Sequence, residues 1–307
     1  MKEYILKENE DGSKITVRDV QLILLDMLKD IDVICRKHNI PYYMTGGSCL
    51  GAVRHEGFIP WDDDADIGML YDDYLRFIDI LKKELDSDQY YFQCFDTHKE
   101  YNVCIPAMKI RKRGTYVKEA NTLLRNRCED GDGLFIDVFV IDYINEKKSI
   151  DFLHRMKSYL YMSAITLLEN IGFHPYKIKR RFVDFARNYS YKNRNSNLIG
   201  LDLTWTFNSP FHPVVYRKDE IFPIQYHKFE DTELPIPKQP EKLLNVQVAV
   251  NHMSFPPLHM QKPKHIVDVN LNGEESTIED TKRNNYTVRI LVATILFILI
   301  ILPKFDC

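Results

Sequence analysis

Between Thr16 and His38 apolar residues recur at Val17, Val20, Leu24, Met27, Ile31 and Ile34, an alternating three-and-four spacing that predicts an amphipathic helix. Thr16 with Asp19 three positions on makes a capping-box pattern, Asp standing in for the usual Glu, and Pro41 closes the helix. Next, "PYYMT" reads as a short strand, "GGS" as a tight turn, "CLGAVRHEG" as a short helix and "DADIGML" as a second strand. A helix from about Asp72 to Leu85 carries Leu75, Ile78 and Leu81 on one face. Strands are predicted at 90–95, 103–112 and 134–142, and helices over 150–171 and 176–190. From 205 to 265 the periodicity weakens and Pro and aromatics accumulate, which suggests a lid or wrapping segment. Helices and strands interleave, so the fold class is α/β (α+β) with one central sheet flanked by helices.

With 307 residues, 45% of them apolar, the chain can bury a core of one large domain or two small ones. A formal net charge of -3, mixed along the chain, leaves no global basic surface and argues against a nucleic-acid partner. Cys35, Cys49, Cys94, Cys104, Cys128 and Cys307 are scattered without zinc-ligand spacing and read as reduced thiols filling the core. The N-terminus lacks the apolar stretch of a secretory signal. Val288 to Leu302 is apolar apart from Arg289 and Thr294, and predicts a C-terminal hydrophobic helix that crosses a membrane once. Lys282, Arg283 and Arg289 on one side against Lys304 on the other place the large domain on the cytoplasmic side.

The densest chemistry lies in "GFIPWDDDADIGML" at 57–70. Alternate strand residues share a face, so Asp64 and Asp66 should project together. Two carboxylates so placed repel unless one is protonated or a hard divalent cation, Mg²⁺ or Mn²⁺, lies between them. Asp62 and Asp63 are placed to cap the turn, to orient the ligands, or to act as general base. Asp137 interrupts the apolar run "LFIDVFVI", where a lone carboxylate needs a partner or a metal. The expected metal ligands are Asp64, Asp66 and Asp137, and Asp63 joins them as a catalytic candidate. Donors for an anion are expected from Gly46, Gly47 and Ser48, where backbone amides can approach closely, and from Arg54, His55, Lys109 and Arg111.

The stretch "YYMTGGSCLGAVRHEGFIPWDDDADIGM", followed by "FIDVF" at 135–139, resembles the hallmark of the LicD family of phosphocholine transferases. The "KI" at 109–110 and "FP", "FE" and "P" within 222–237 resemble its later landmarks, and the likeness covers roughly residues 20–240. "VQVAVNHMSFPPLH" at 246–259 departs from the family pattern and keeps only its paired prolines. The resemblance implies a nucleotidyltransferase-like mixed sheet, here expected at 16–265, after an extension at 1–15 and before a polar linker at 266–285; the hydrophobic helix expected at 286–303 is not part of the family pattern. It implies transfer of phosphocholine or a polyol phosphate from a CDP-alcohol donor to a glycan acceptor, with release of CMP. Gly46, Gly47 and Ser48 match the nucleotide-phosphate turn, and Asp64, Asp66 and Asp137 the metal triad. Choline's quaternary ammonium would want an aromatic cage, for which Tyr42, Tyr43, Trp61, Tyr101, Trp205 and Phe207 are candidates. A nucleotidyltransferase, a DxD-type glycosyltransferase and a membrane-tethered scaffold are the alternatives.

Overall fold

The computed structural model describes residues 3–121, 123–124, 126, 128–205 and 210–273. In chain order the strands are β1 (Ile5–Glu8), β2 (Lys14–Thr16), β3 (Tyr43–Met44), β4 (Asp66–Leu70), β5 (Tyr90–Cys94), β6 (Met108–Lys112), β7 (Tyr116–Glu119) and β8 (Phe135–Tyr143), then β9 (Leu198–Leu201), β10 (Val215–Arg217), β11 (Gln225–Phe229), β12 (Thr232–Ile236) and β13 (Ile266–Asn270). The helices are α1 (Val17–Lys37), α2 (Gly46–His55), α3 (Tyr71–Glu84), α4 (Lys148–Asn170), α5 (Tyr176–Lys192), α6 (Lys218–Ile221) and α7 (Pro240–Gln247).

β8 organises the domain because its run "FIDVFVIDY" is buried along nearly its whole length, as a strand covered on both faces must be. One edge of β8 pairs in parallel with β4, which continues antiparallel to β3. The other edge is divided: its first half pairs antiparallel with β6 and its second half with β9. β5 lies beyond β6 and β10 beyond β9, which completes a mixed sheet of seven strands among the described residues.

The helix predicted at the N-terminus is α1, started by the expected box: the Thr16 amide donates to Asp19 Oδ2 at 2.7 Å, and the Asp19 amide to Thr16 Oγ1 at 3.3 Å. Val17, Val20, Leu24, Met27 and Ile31 are buried, with Ile34 partly so.

Several expectations shift. Gly46 and Gly47 are the first residues of α2 rather than a turn ahead of it, and Gly46 has φ +54°, a backbone conformation open to glycine. β4 begins at Asp66, so Asp64 lies in the extended approach to the strand and not within it. In the stretch 103–112 only Met108–Lys112 is strand. On α3 the buried face is Tyr74, Phe77, Ile78 and Leu81, whereas Leu75 is exposed. The 205–265 segment holds regular structure, including the β11–β12 hairpin and α7, and buries Phe229, Leu234, Ile236, Leu243 and Leu244.

β1 and β2 form a hairpin, and β13, which follows residue 265, pairs with β7. Cys35, Cys49, Cys94, Cys104 and Cys128 are free and buried, in keeping with core thiols. The hydrophobic segment at 286–303 lies outside the described residues, and among the described residues no helix is long and apolar enough to cross a membrane.

Candidate active site

The parallel register of β4 on β8 places Asp66 directly opposite Asp137. Adjacent strands in such a ladder stand about 4.8 Å apart, so two side chains on one face meet. The first turn of α2 closes on the same place. A Cβ added at Gly46 would lie 3.2 Å from Asp66 Oδ2, and one at Gly47 only 2.5 Å from Asp62 Oδ2. Glycine is therefore what lets the start of α2 approach these carboxylates. Ser48, buried, accepts the Asp66 amide on its Oγ at 2.9 Å and ties α2 to the start of β4. The positive end of the α2 dipole faces the cluster and favours anions there.

Asp62, Asp64, Asp66 and Asp137 share one electrostatic environment. Burial, first, and then the neighbouring carboxylates push Asp62 and Asp66 well above the usual carboxylate range. Burial raises Asp64 to about 6, with His265 pulling the other way. Asp137 is also raised by burial, against the opposing effect of Lys109. Lys109 Nζ, 2% exposed, donates to Asp137 Oδ1 at 2.8 Å, meets Glu119 Oε2 at 3.3 Å and sits 3.5 Å above the centre of the Phe135 ring. The nearest cations are Lys109, shared with Glu119, and a half-exposed His265 whose Nε2 is 3.3 Å from Asp64 Oδ2; Lys264 and Arg54 also act on Asp62, yet burial and the carboxylates together still raise all four acids. Carboxylate oxygens in a crowded, largely buried place are donors of the kind a hard divalent cation takes, although among the described residues Asp66 and Asp137 do not join the group whose donor atoms converge.

A second grouping overlaps the first at Asp62 and Asp64. Asp62, Asp63, Asp64 and His265 each bring one donor atom within 4.8 Å of the others. Asp63, however, is already used. Its carboxylate accepts the amides of Lys264 at 3.2 Å, His265 at 3.1 and 3.2 Å, and Ile266 at 2.8 Å. That bonding fastens one end of a strap running from about 248 to 266, and brings His265 to the acids. Among the described residues no such set of amide donors engages Asp64.

Arg54, expected to meet substrate, holds the other end of the strap. Its Nη1 donates to the carbonyls of His252 at 2.8 Å and Ser254 at 3.1 Å, and its Nε to His55 Nε2 at 3.0 Å. His55 packs edge-on against Trp61 and Phe255, and burial holds its ring below the ordinary histidine value. Arg111 has no exposed surface and bonds Gln93, Gly133 and Glu119, so its charge is spent inside the protein. Of the cage candidates, Tyr42, Tyr43, Trp61 and Tyr101 are buried core side chains, Trp205 packs on Phe139, and Phe207 lies outside the described residues.

The LicD/FKTN/FKRP nucleotidyltransferase domain family matches residues 39–180, a span holding α2, β4, β6 and β8. The lipopolysaccharide cholinephosphotransferase LicD of Haemophilus influenzae is 30% identical over 277 residues, covering 82% of this chain and 97% of that protein. The chain belongs to the LicD family. Two uncharacterized rickettsial proteins also match: one from Rickettsia prowazekii, 30% identical over 128 residues (41% of this chain, 47% of that protein), and one from Rickettsia typhi, 47% identical over 60 residues (20% and 19%).

The LicD landmarks now have physical reasons. Glu230 of "FE" sits at the tip of the β11–β12 hairpin, accepts the Phe58 amide at 3.1 Å and pairs with Arg18 through both oxygens, which pins the "GFIPW" turn. Gln21, buried on α1, donates to the carbonyls of Ile59 and Asp62 at 2.9 Å and holds the same turn from behind. Gln247, in the stretch that departs from the LicD pattern, reaches the α2 start: its Oε1 accepts the Gly46 amide at 2.8 Å and Thr45 Oγ1 at 3.0 Å. Gln247, His265, Glu119 and Gln21 were not singled out from the sequence, and none of them carries a local pattern that marks it.

Proposed function

We propose that this LicD-family chain transfers a phospho-alcohol, phosphocholine or a polyol phosphate, from a CDP-linked donor to a hydroxyl of a cell-surface glycan or glycolipid and releases CMP. It acts as a transferase of substituted phosphate groups, the class to which the named H. influenzae relative belongs. The observation that carries the reading is the pairing of Asp66 with Asp137 on parallel strands, beside Asp64 and in front of the α2 N-terminus. Asp64, Asp66 and Asp137 would hold Mg²⁺ or Mn²⁺. When bound, the cation supplies positive charge to the donor's pyrophosphate oxygens and to the departing CMP.

The chain's own residues do the rest. Gly46, Gly47 and Ser48 bring backbone and the positive end of α2 to where donor phosphates would lie. Lys109 holds the Asp137 carboxylate in one orientation. The strap, tied by Asp63 and Arg54, would close over the bound donor and limit water, which would otherwise compete with the acceptor hydroxyl. In-line attack of that hydroxyl on the distal phosphorus would form a phosphodiester as the pyrophosphate bond breaks, the hydroxyl proton passing to a neighbouring carboxylate or to the departing CMP. Asp63 serves the strap and not proton transfer.

The test is nucleotide release by the full chain from CDP-choline, CDP-glycerol, CDP-ribitol, CTP and an NDP-sugar, with Mg²⁺, Mn²⁺ or chelator, beside Asp66→Asn. Metal-dependent CMP release from one CDP-alcohol, lost in the variant, is the expected result. Pyrophosphate from CTP, or a nucleoside diphosphate from the NDP-sugar, would instead favour the other transferase classes.

A further inference from the structure

The first three turns of α4 are built inside out. Asp151, His154, Arg155 and Ser158 face inward and are buried, while Ile150, Phe152, Leu153, Met156, Tyr159 and Leu160 face outward. Leu153 is 61% exposed and Leu160 51%. The inward polar groups are packed and mostly bonded: Arg155 Nε donates to Asp151 at 2.7 Å, Tyr189 Oη donates to the same carboxylate at 2.9 Å, and the His154 ring stacks against Phe185 and Tyr189, its buried Nε2 having no hydrogen-bond partner among the described residues. The polar side is thus the built interior, and the apolar side is left on the surface. Phe211, 69% exposed and in edge contact with Phe152, widens it. Farther along, from Met162 and Ile165 onward, α4 returns to ordinary burial of apolar residues.

An apolar stripe about 16 Å long on one helix calls for an apolar partner. Charge decides which. Lys147, Lys148 and Lys157 are exposed on this part of the chain, against the single exposed acid Glu146. A second copy of the same face would bring lysines against lysines. The apolar segment at 286–303 has no acid to answer them and adds Arg289. An anionic bilayer offers both an apolar layer and negative headgroups, and a helix with an apolar face, aromatics and flanking lysines is what settles into that interface.

We propose that the outward face of α4 docks on the surface of an anionic lipid bilayer, lying in the interface rather than crossing it. This surface shares no residue with the acid cluster or with the segment at 286–303. Docking would hold the domain beside an acceptor assembled on lipid.

The test uses vesicles with brominated acyl chains and the full chain carrying Leu153→Trp, with the signal of the unsubstituted chain, from Trp61 and Trp205, subtracted so that quenching reports contact of α4 itself and not attachment elsewhere. With half phosphatidylglycerol the added indole should be quenched about twofold; phosphatidylcholine alone, or Lys147→Glu with Lys148→Glu and Lys157→Glu, should abolish this. Leu153→Glu with Leu160→Glu should leave CMP release from a soluble donor unchanged, so failure of the catalytic reading and of the docking proposal are told apart. Co-sedimentation with vesicles but no quenching would overturn the proposal. So would a dimer in sedimentation velocity that Leu153→Glu dissociates.

Discussion

Asp63→Ala should unfasten the strap without touching the sheet. Asp63 is 2% exposed and takes three backbone amides, the shortest at 2.8 Å from Ile266. A hydrogen bond to a charged group contributes about 1.5–3 kcal/mol, and the three would sum to more than twice that if each were lost into a dry interior. They are not, because the strap can lift and let water reach its amides, so the loss is capped by the cost of that opening. We take about 3 kcal/mol, which for a domain of this size lowers the melting temperature by roughly 6–12 °C. The local signature is sharper: amide exchange at His265 and Ile266 should accelerate about 100-fold, while β8 amides change only with global stability. Melting is followed by calorimetry and exchange by mass spectrometry, both with chelator present. A melting point within about 1 °C of wild type, with protection at 265–266 unchanged, would refute the assignment of Asp63 as the fastener.

The crowded acids give the cation-free protein a pH signature. Asp64 moves from 3.8 to about 6 on folding, so its contribution is intact below pH 4 and lost as pH rises through about 6. Full ionisation then costs the fold about 3 kcal/mol, and Asp64→Asn should gain on wild type by that amount between pH 4 and 7 in chelator; parallel stability curves would refute this. Mg²⁺ or Mn²⁺ at 100 times its Kd should stabilise wild type at pH 7.5 by about 2.7 kcal/mol, and a cation-indifferent melting point would argue against a metal site. Lys109→Met leaves Asp137 and Glu119 without their shared cation and should destabilise by about 3–5 kcal/mol, read from denaturant midpoints; a neutral result would show the pair to be dispensable. Gly47→Ala puts a methyl 2.5 Å from Asp62 Oδ2 and should cut donor turnover at least about tenfold with the fold retained; full activity would mean that the α2 start can shift freely.

Where local pattern and final structure agree, one face of a periodic segment had one job. The three-and-four spacing of α1 and the Thr16–Asp19 box lead directly to what is seen, as does the apolar run of β8. Asp66 and Asp137 were legible because a carboxylate in an apolar strand is costly enough to need a reason. Arg54 and Arg111 were not legible in the same way. Cationic side chains look alike in sequence, and only the fold decides that one is committed to strap carbonyls and the other to Gly133 and Glu119. The missed residues act over long separations. Gln247 reaches Gly46 across 201 positions and Ile266 reaches Asp63 across 203, contacts with no spacing signature at all. The outward face of α4 reads as an ordinary amphipathic pattern, and nothing in the periodicity says which side is inside.

The acid cluster is visited by the chain three times, at 62–66, at 137 and at 264–266. During synthesis the first visit supplies carboxylates with no framework, the second waits for a parallel pairing across some seventy residues, and the strap comes last. Parallel pairing over such separations is slow, and a slip of one residue would turn Asp137 to the opposite face of the sheet. On the proposed function, divalent-ion binding would therefore report completed assembly. A ribosome-released fragment ending before β8 should carry the acidic motif and still be unable to bind the ion.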